Sequence, residues 1–170
     1  GLKNLTHFDL DYTSVSGDIQ VLQSLQHLTA FYLSDTGVFG DIAVLPTNLT
    51  TFYLSSTGVF GNIQVLQGLR NLTSLWCGST GVTGDIQVLQ ELQHLTKFFL
   101  EHTGVFGDIQ ALQGLQNLTG FNLMNTGVFG DIKVLPTNLT QFFLGSTGVM
   151  GDIQVLQRLP NLTQFYLDST

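Results

Sequence analysis

Apolar and polar residues alternate in two rhythms along this chain. In Phe31-Tyr32-Leu33, and at the matching places elsewhere, apolar and outward residues change places at every step, as in a strand with one buried face. Ile19, Leu22, Leu25 and Leu28 instead return every third residue, which fits the three residues per turn of a 3₁₀-helix better than the 3.6 of an α-helix. Between the two lies a corner, Thr36-Gly37-Val38-Phe39-Gly40, whose paired glycines are expected to supply backbone conformations that a Cβ resists. One short strand, one corner and one 3₁₀-like return path form a unit, and the unit recurs. Its opening Leu-Thr pair falls at Leu5, Leu28, Leu49, Leu72, Leu95, Leu118, Leu139 and Leu162, in steps of 23 or 21 residues. A fixed period of this kind predicts one supersecondary unit stacked on copies of itself, a solenoid. The two short copies lose residues only on the return path, where Pro46 and Pro136 cannot continue a helix.

Leu28, Phe31, Leu33, Thr36, Val38, Gly40 and Ile42, with their counterparts in the other copies, resemble the unit of the leucine-rich repeats, and within them the plant-type class. The resemblance covers the whole chain. Thr stands at the family's Asn position, and no Pro follows the Ile. The resemblance implies an α/β solenoid: a right-handed coil with a parallel β-sheet on the concave face, a second short strand beside it, and 3₁₀ or short helical segments on the convex face. Threonines such as Thr36 and Thr57 are expected to bond the backbone of the neighbouring copy. Residues 1–170 read as a single array of about 7.5 repeats, with no linker. Neither end carries a polar capping repeat, and each would bare apolar slots worth ~1.5–3 kcal/mol apiece. The expectation is therefore a segment of a longer array, or ends covered by partner subunits.

Composition narrows the partners. Net charge is −7, and the five Lys and Arg are scattered singly, so no basic stripe exists to neutralise the phosphates of a nucleic acid. No apolar run approaches the ~18 residues that read as a membrane span, so no direct membrane insertion is expected from this segment. Cys77 is the single cysteine and takes a slot that is Leu in the other copies, which predicts a buried small hydrophobe and neither a disulfide nor a metal site.

In a stack of strands about 4.8 Å apart, each sequence position becomes a column along the molecule. The central outward position of the strand carries Asp9, Tyr32, Tyr53, Trp76, Phe99, Asn122, Phe143 and Tyr166. Rings there offer large contact area at low entropic cost, so Tyr32, Tyr53, Trp76, Phe99, Phe143 and Tyr166 are the candidate ligand-binding residues for a protein, peptide or glycan. Rings that simply pack on one another to support the strands are the alternative. The columns on either side vary far more than the framework. A second aromatic column, Phe39, Phe60, Phe106, Phe129 and Met150, lies between Val and Gly of the corner and is predicted to face outward. It is either a lateral interface, which would make the chain a structural component of a larger assembly, or a self-stacked ladder.

Asp18, Asp41, Asp85, Asp108, Asp131 and Asp152, with Asn62, precede the helical turns and read as N-caps in preference to calcium ligands. Six sequons, at Asn4, Asn48, Asn71, Asn117, Asn138 and Asn161, are possible N-glycosylation sites and favour an extracellular or cell-surface location. The four histidines fall in different columns, and no Ser or Cys has a base and an orienting acid beside it. No enzyme activity and no cofactor are expected.

Overall fold

The computed structural model describes residues 2–170. Among the described residues, eight short strands (His7–Asp9, Ala30–Tyr32, Thr51–Tyr53, Ser74–Trp76, Lys97–Phe99, Gly120–Asn122, Gln141–Phe143 and Gln164–Tyr166) lie parallel and in chain order in one sheet. Seven others (Ser16–Asp18, Gly37–Asp41, Gly58–Asn62, Gly81–Asp85, Gly104–Asp108, Gly127–Asp131 and Gly148–Met150) form a second parallel sheet alongside. Each copy then returns through a 3₁₀-helix, and all seven such helices begin at the Ile after the Asp or Asn column. The solenoid and the 3₁₀ return path are as the sequence pattern predicts, and the second strand is as the resemblance to leucine-rich repeats implies.

The core is a set of rows running from copy to copy. Phe31 stacks on Phe52 with ring centroids 5.8 Å apart, and Phe98, Phe121 and Phe142 continue at 5.4 and 6.0 Å. Leu, Val and Ile rows fill the rest, and the slot that is Leu elsewhere holds Cys77 fully buried. Burial pushes the Cys77 thiol far above its ordinary pKa, with the Glu101 carboxylate adding to the shift. Buried among the Leu row, it is a packing group.

The helical turns start where the caps predict. The Asp18 side chain accepts from the Gln20 amide at 2.8 Å, and Asn62 from Gln64 at 2.9 Å, and the other five members of the column do the same for the second residue after each. In the short copies the 3₁₀ turns shrink to Ile42–Val44 and Ile132–Val134, directly before Leu45-Pro46 and Leu135-Pro136.

Two details differ from the sequence reading. The corner threonines do not bond the neighbouring copy: Thr36 donates to the Leu33 carbonyl of its own copy at 2.6 Å, and Thr57 to Leu54 at 2.6 Å. The tie between copies is made by the other threonine row, that of Leu-Thr. Thr29 donates to the Thr6 carbonyl at 3.0 Å, Thr73 to Thr50 at 2.9 Å and Thr96 to Thr73 at 2.8 Å, and so on to Thr163. The hydroxyl two residues before the strand centre points along the stack, whereas the corner hydroxyl points back into its own turn.

The two corner glycines also have different reasons. Gly84 has φ +123, a left-handed conformation that only glycine adopts cheaply, and a Cβ there would also crowd Ile63 Cγ1 at 3.1 Å. Gly81 needs no such freedom. A Cβ on it would lie 3.1 Å from the Phe60 Cβ and 3.2 Å from the Val59 carbonyl, so this glycine makes room for the preceding copy's strand.

Candidate recognition surface

The eight-stranded sheet pairs like with like: Tyr32 stands opposite Tyr53, Tyr53 opposite Trp76, and Trp76 opposite Phe99. The buried residue of each strand, such as Phe52 between Thr51 and Tyr53, faces the core, so these rings line the open face of the sheet. They form a continuous row. Tyr32 meets Tyr53 edge-on at 4.7 Å, Tyr53 stacks on Trp76 at 4.5 Å, and Trp76 meets Phe99 at 4.6 Å. Asn122 interrupts the row, which resumes with Phe143 stacked on Tyr166 at 5.2 Å. All but Tyr166 are half-buried, because each ring covers its neighbour's face; Tyr166 is 57% exposed. Mutual packing and an accessible outer edge therefore coexist in one column.

Carboxylates sit on one flank of this row. Asp11 accepts from the Ser34 amide at 2.5 Å, and burial raises its pKa despite that bond, with the nearby Asp9 adding to the rise. The Tyr32 phenol is likewise raised, first by burial and then by Tyr53, Asp9 and Asp11. Glu101 reaches back over Gly78, which has no Cβ to obstruct it, and burial raises the Glu101 pKa although His102 acts to lower it. Asp168 lies over Gly145 in the same fashion. Three buried polar atoms on this face, Ser34 Oγ, Trp76 Nε1 and Glu101 Oε2, have no hydrogen-bond partner within the protein.

The second aromatic column stands on the seven-stranded sheet and is exposed. Phe39, Phe60, Phe106 and Phe129 each keep about half their surface open, and Met150 keeps 70%. They are not arranged as a self-stacked ladder, because this sheet is staggered: Phe39 pairs with Gly58, and Phe60 with Asp41. Each ring lies alongside the next copy's glycine, with the capping Asp row on its other side.

All six sequon asparagines are exposed. Asn48, Asn117 and Asn138 donate through Nδ2 to the carbonyls of Gln26, Gln93 and Gln116 in the preceding copies at 2.7, 2.9 and 2.7 Å. With the threonine bonds above, each Asn-Leu-Thr in these copies is two ties around one core residue. That is a structural reason for the triplet independent of glycosylation.

One regular feature escaped the sequence pattern. Tyr12, Asp35, Ser56, Ser79, His102, Asn125, Ser146 and Ser169 all adopt φ between 53° and 57°, one per copy, at the turn joining the two sheets. Asp35, His102 and Asn125 were the available signal, since Asp, His and Asn are the non-glycine residues most often found in this region.

Neither a protein-family model nor a curated protein matches the sequence. Solved structures do. The internalin inlF from Listeria monocytogenes superposes with a TM-score of 0.77 at 26% identity, over 96% of this chain and 48% of that one. Internalin C2 from the same organism gives 0.76 at 27% identity, over 96% of this chain and 71% of its own. The Arabidopsis receptor kinase HAESA, solved in complex with the peptide hormone IDA and the co-receptor SERK1, gives 0.80 at 24% identity, over all of this chain and 30% of its own. This chain thus spans about half of inlF and less than a third of HAESA. The repeat, the two parallel sheets, the 3₁₀ return path and these superpositions make the chain a leucine-rich-repeat solenoid.

Proposed function

We propose that the chain is a non-catalytic recognition module that binds a protein, peptide or glycan through its concave aromatic face, with Tyr32, Tyr53, Trp76, Phe99, Phe143 and Tyr166 as contact residues. The observation that carries this reading is the row of half-buried rings held in register on a hydrogen-bonded sheet, beside columns whose residues change from copy to copy. Rings fixed by their neighbours lose little conformational freedom on contact, so more of the contact energy is kept as affinity. A protein or peptide is the favoured partner; HAESA, which shares the fold, was solved in complex with a peptide hormone and a co-receptor. An extracellular or cell-surface location and glycosylation at the exposed sequons belong to the same reading.

The test is selection from a random peptide display library and a glycan array, followed by two triple variants. Changing Tyr53, Trp76 and Phe99 to Ala should abolish binding of the selected ligands, while changing Phe39, Phe60 and Phe106 to Ala should leave it intact. The reverse result would favour a second reading, a structural component docked through the exposed Phe row, for which the half-open rings are the supporting observation.

A further inference from the structure

The aromatic row on the concave face is broken once, and the break has a shape. Asn122 stands between Phe99 and Phe143, and its side-chain oxygen is engaged by the Met124 amide at 3.0 Å. Beside it opens a hollow of about 300 Å³ lined by Asn122, Met124, Phe143, Tyr166 and Asp168. The stacked pair Phe143 and Tyr166, with ring planes 25° apart, lines it together with the flexible Met124 side chain. Asp168 brings a carboxylate to the same hollow from its place above Gly145. No Lys, Arg or His lines it, and among the described residues the one ion pair, Lys133 with Asp131, lies elsewhere. Asp168 therefore faces the hollow without a countercharge.

The chemistry of these walls selects among occupants. Ring faces attract cations through their quadrupole, and a carboxylate accepts two parallel hydrogen bonds from a guanidinium. A neutral ring entering the hollow would desolvate Asp168 without pairing it, and an anion would be repelled. Arginine combines an apolar stem, a planar cation that stacks on rings, and a fork matched to carboxylate. We propose that this hollow is a subsite for an arginine side chain of the protein or peptide ligand, a proposal that rests on recognition through the concave face. The net charge of −7 draws a basic partner toward the molecule. The chain also carries an internal control. At Glu101 a second carboxylate lies over a glycine, Gly78, but there the copy before Trp76 carries Tyr53, stacked on Trp76 at 4.5 Å, where the copy before Phe143 carries Asn122 and no ring.

The experiment titrates the chain with the blocked tripeptide Gly-Arg-Gly and, separately, with its neutral isostere in which citrulline replaces arginine, following Met124 and Tyr166 resonances by NMR. Saturable shifts with the arginine peptide are expected, with at least tenfold weaker binding of the citrulline peptide and of the arginine peptide to Asp168→Asn. Asn122→Phe, which extends the ring row, should abolish the shifts. Equal binding of the two peptides, insensitivity to Asp168→Asn, or no saturable shift at millimolar peptide would each overturn the proposal. Should Asn122→Phe fail to fold, the citrulline comparison and Asp168→Asn still decide. If selected ligands require Tyr53, Trp76 and Phe99 yet ignore Asp168→Asn, the arginine subsite falls and the concave reading stands; if they ignore all four residues, both fall.

Discussion

Two sheets built from one repeat each carry an aromatic residue at the middle outward position of their strands, and the two rows behave differently. In the eight-stranded sheet, equivalent residues pair directly, and rings from Tyr32 to Phe99 lie within 4.5–4.7 Å of one another. In the seven-stranded sheet the register steps by two residues per copy, so Phe39 lies beside Gly58 and Phe60 beside Asp41. One row is a stack whose members shield each other. The other is a series of rings shielding glycine backbone, each half open to solvent. A column of identical residues therefore does not reveal whether its members touch; the register between strands decides that.

The sharpest way to break this comparison is to add a Cβ to the staggered sheet. Gly84→Ala should cost about 1–3 kcal/mol, because φ +123 is strained for any side chain and Ile63 lies 3.1 Å from the new carbon. Gly81→Ala should cost about 1 kcal/mol, the smaller price of pushing the Phe60 Cβ and the Val59 carbonyl from 3.1 and 3.2 Å. Urea unfolding of the two variants checks both. A neutral Gly81→Ala would show that the stagger does not require this glycine.

Next come the rings themselves. Trp76→Ala removes contacts to Tyr53 and Phe99 and should destabilise the chain by about 1–3 kcal/mol, since each aromatic pair contributes about 0.5–1.5 kcal/mol beyond its buried area. Phe106→Ala, from a residue half open and without a ring partner in register, should stay within about 0.5 kcal/mol of wild type. Equal losses in the two variants would erase the distinction between stacked and separate rows.

Much of the architecture was legible in the sequence because it depends on period and on side-chain type. The strand, the 3₁₀ path and the caps follow from where Phe31, Leu22 and Asp18 fall relative to one another. What was not legible depends on relations between copies. Whether Thr36 or Thr29 reaches the neighbouring carbonyl depends on which way each turn aims it, and both are simply threonines beside apolar residues. The stagger of the second sheet leaves its trace only in Gly58 and its counterparts, which read equally well as turn glycines. On the concave face, the ring column was visible as six aromatics. The hollow beside Asn122 was not, because it is made by an absence in one copy and by Asp168 two copies further on.

The turn between the two sheets offers a gain in stability. Ser79 is exposed and held at φ 55°, which costs a non-glycine residue roughly 1–2 kcal/mol. Glycine relieves this but adds unfolded-state freedom of about 0.4–1 kcal/mol. Ser79→Gly should therefore stabilise by about 0.5 kcal/mol, read as a rise in the urea midpoint. A loss would mean that the serine makes a contribution at this turn beyond its backbone conformation.

The smallest effect distinguishes the sheets by charge, and its sign follows from burial. The Asp column beside the staggered sheet caps helical turns in the open, and the Lys133 amide and ammonium hold the Asp131 carboxyl below its ordinary range. Glu101 on the concave sheet is shifted the other way, because burial disfavours its charged form. A carboxyl raised in the folded state binds its proton more tightly there than in the unfolded chain. Its contribution to stability is thus fully present below the ordinary value of 4.5 and is lost as pH rises through the folded-state value. Glu101→Gln keeps the shape without the charge. It should be slightly more stable than wild type at pH 7.5, and the advantage should vanish when both are unfolded in urea below pH 4. A constant difference across that range would show that Glu101 acts through packing over Gly78 and not through its charge, and would leave the two sheets electrostatically alike.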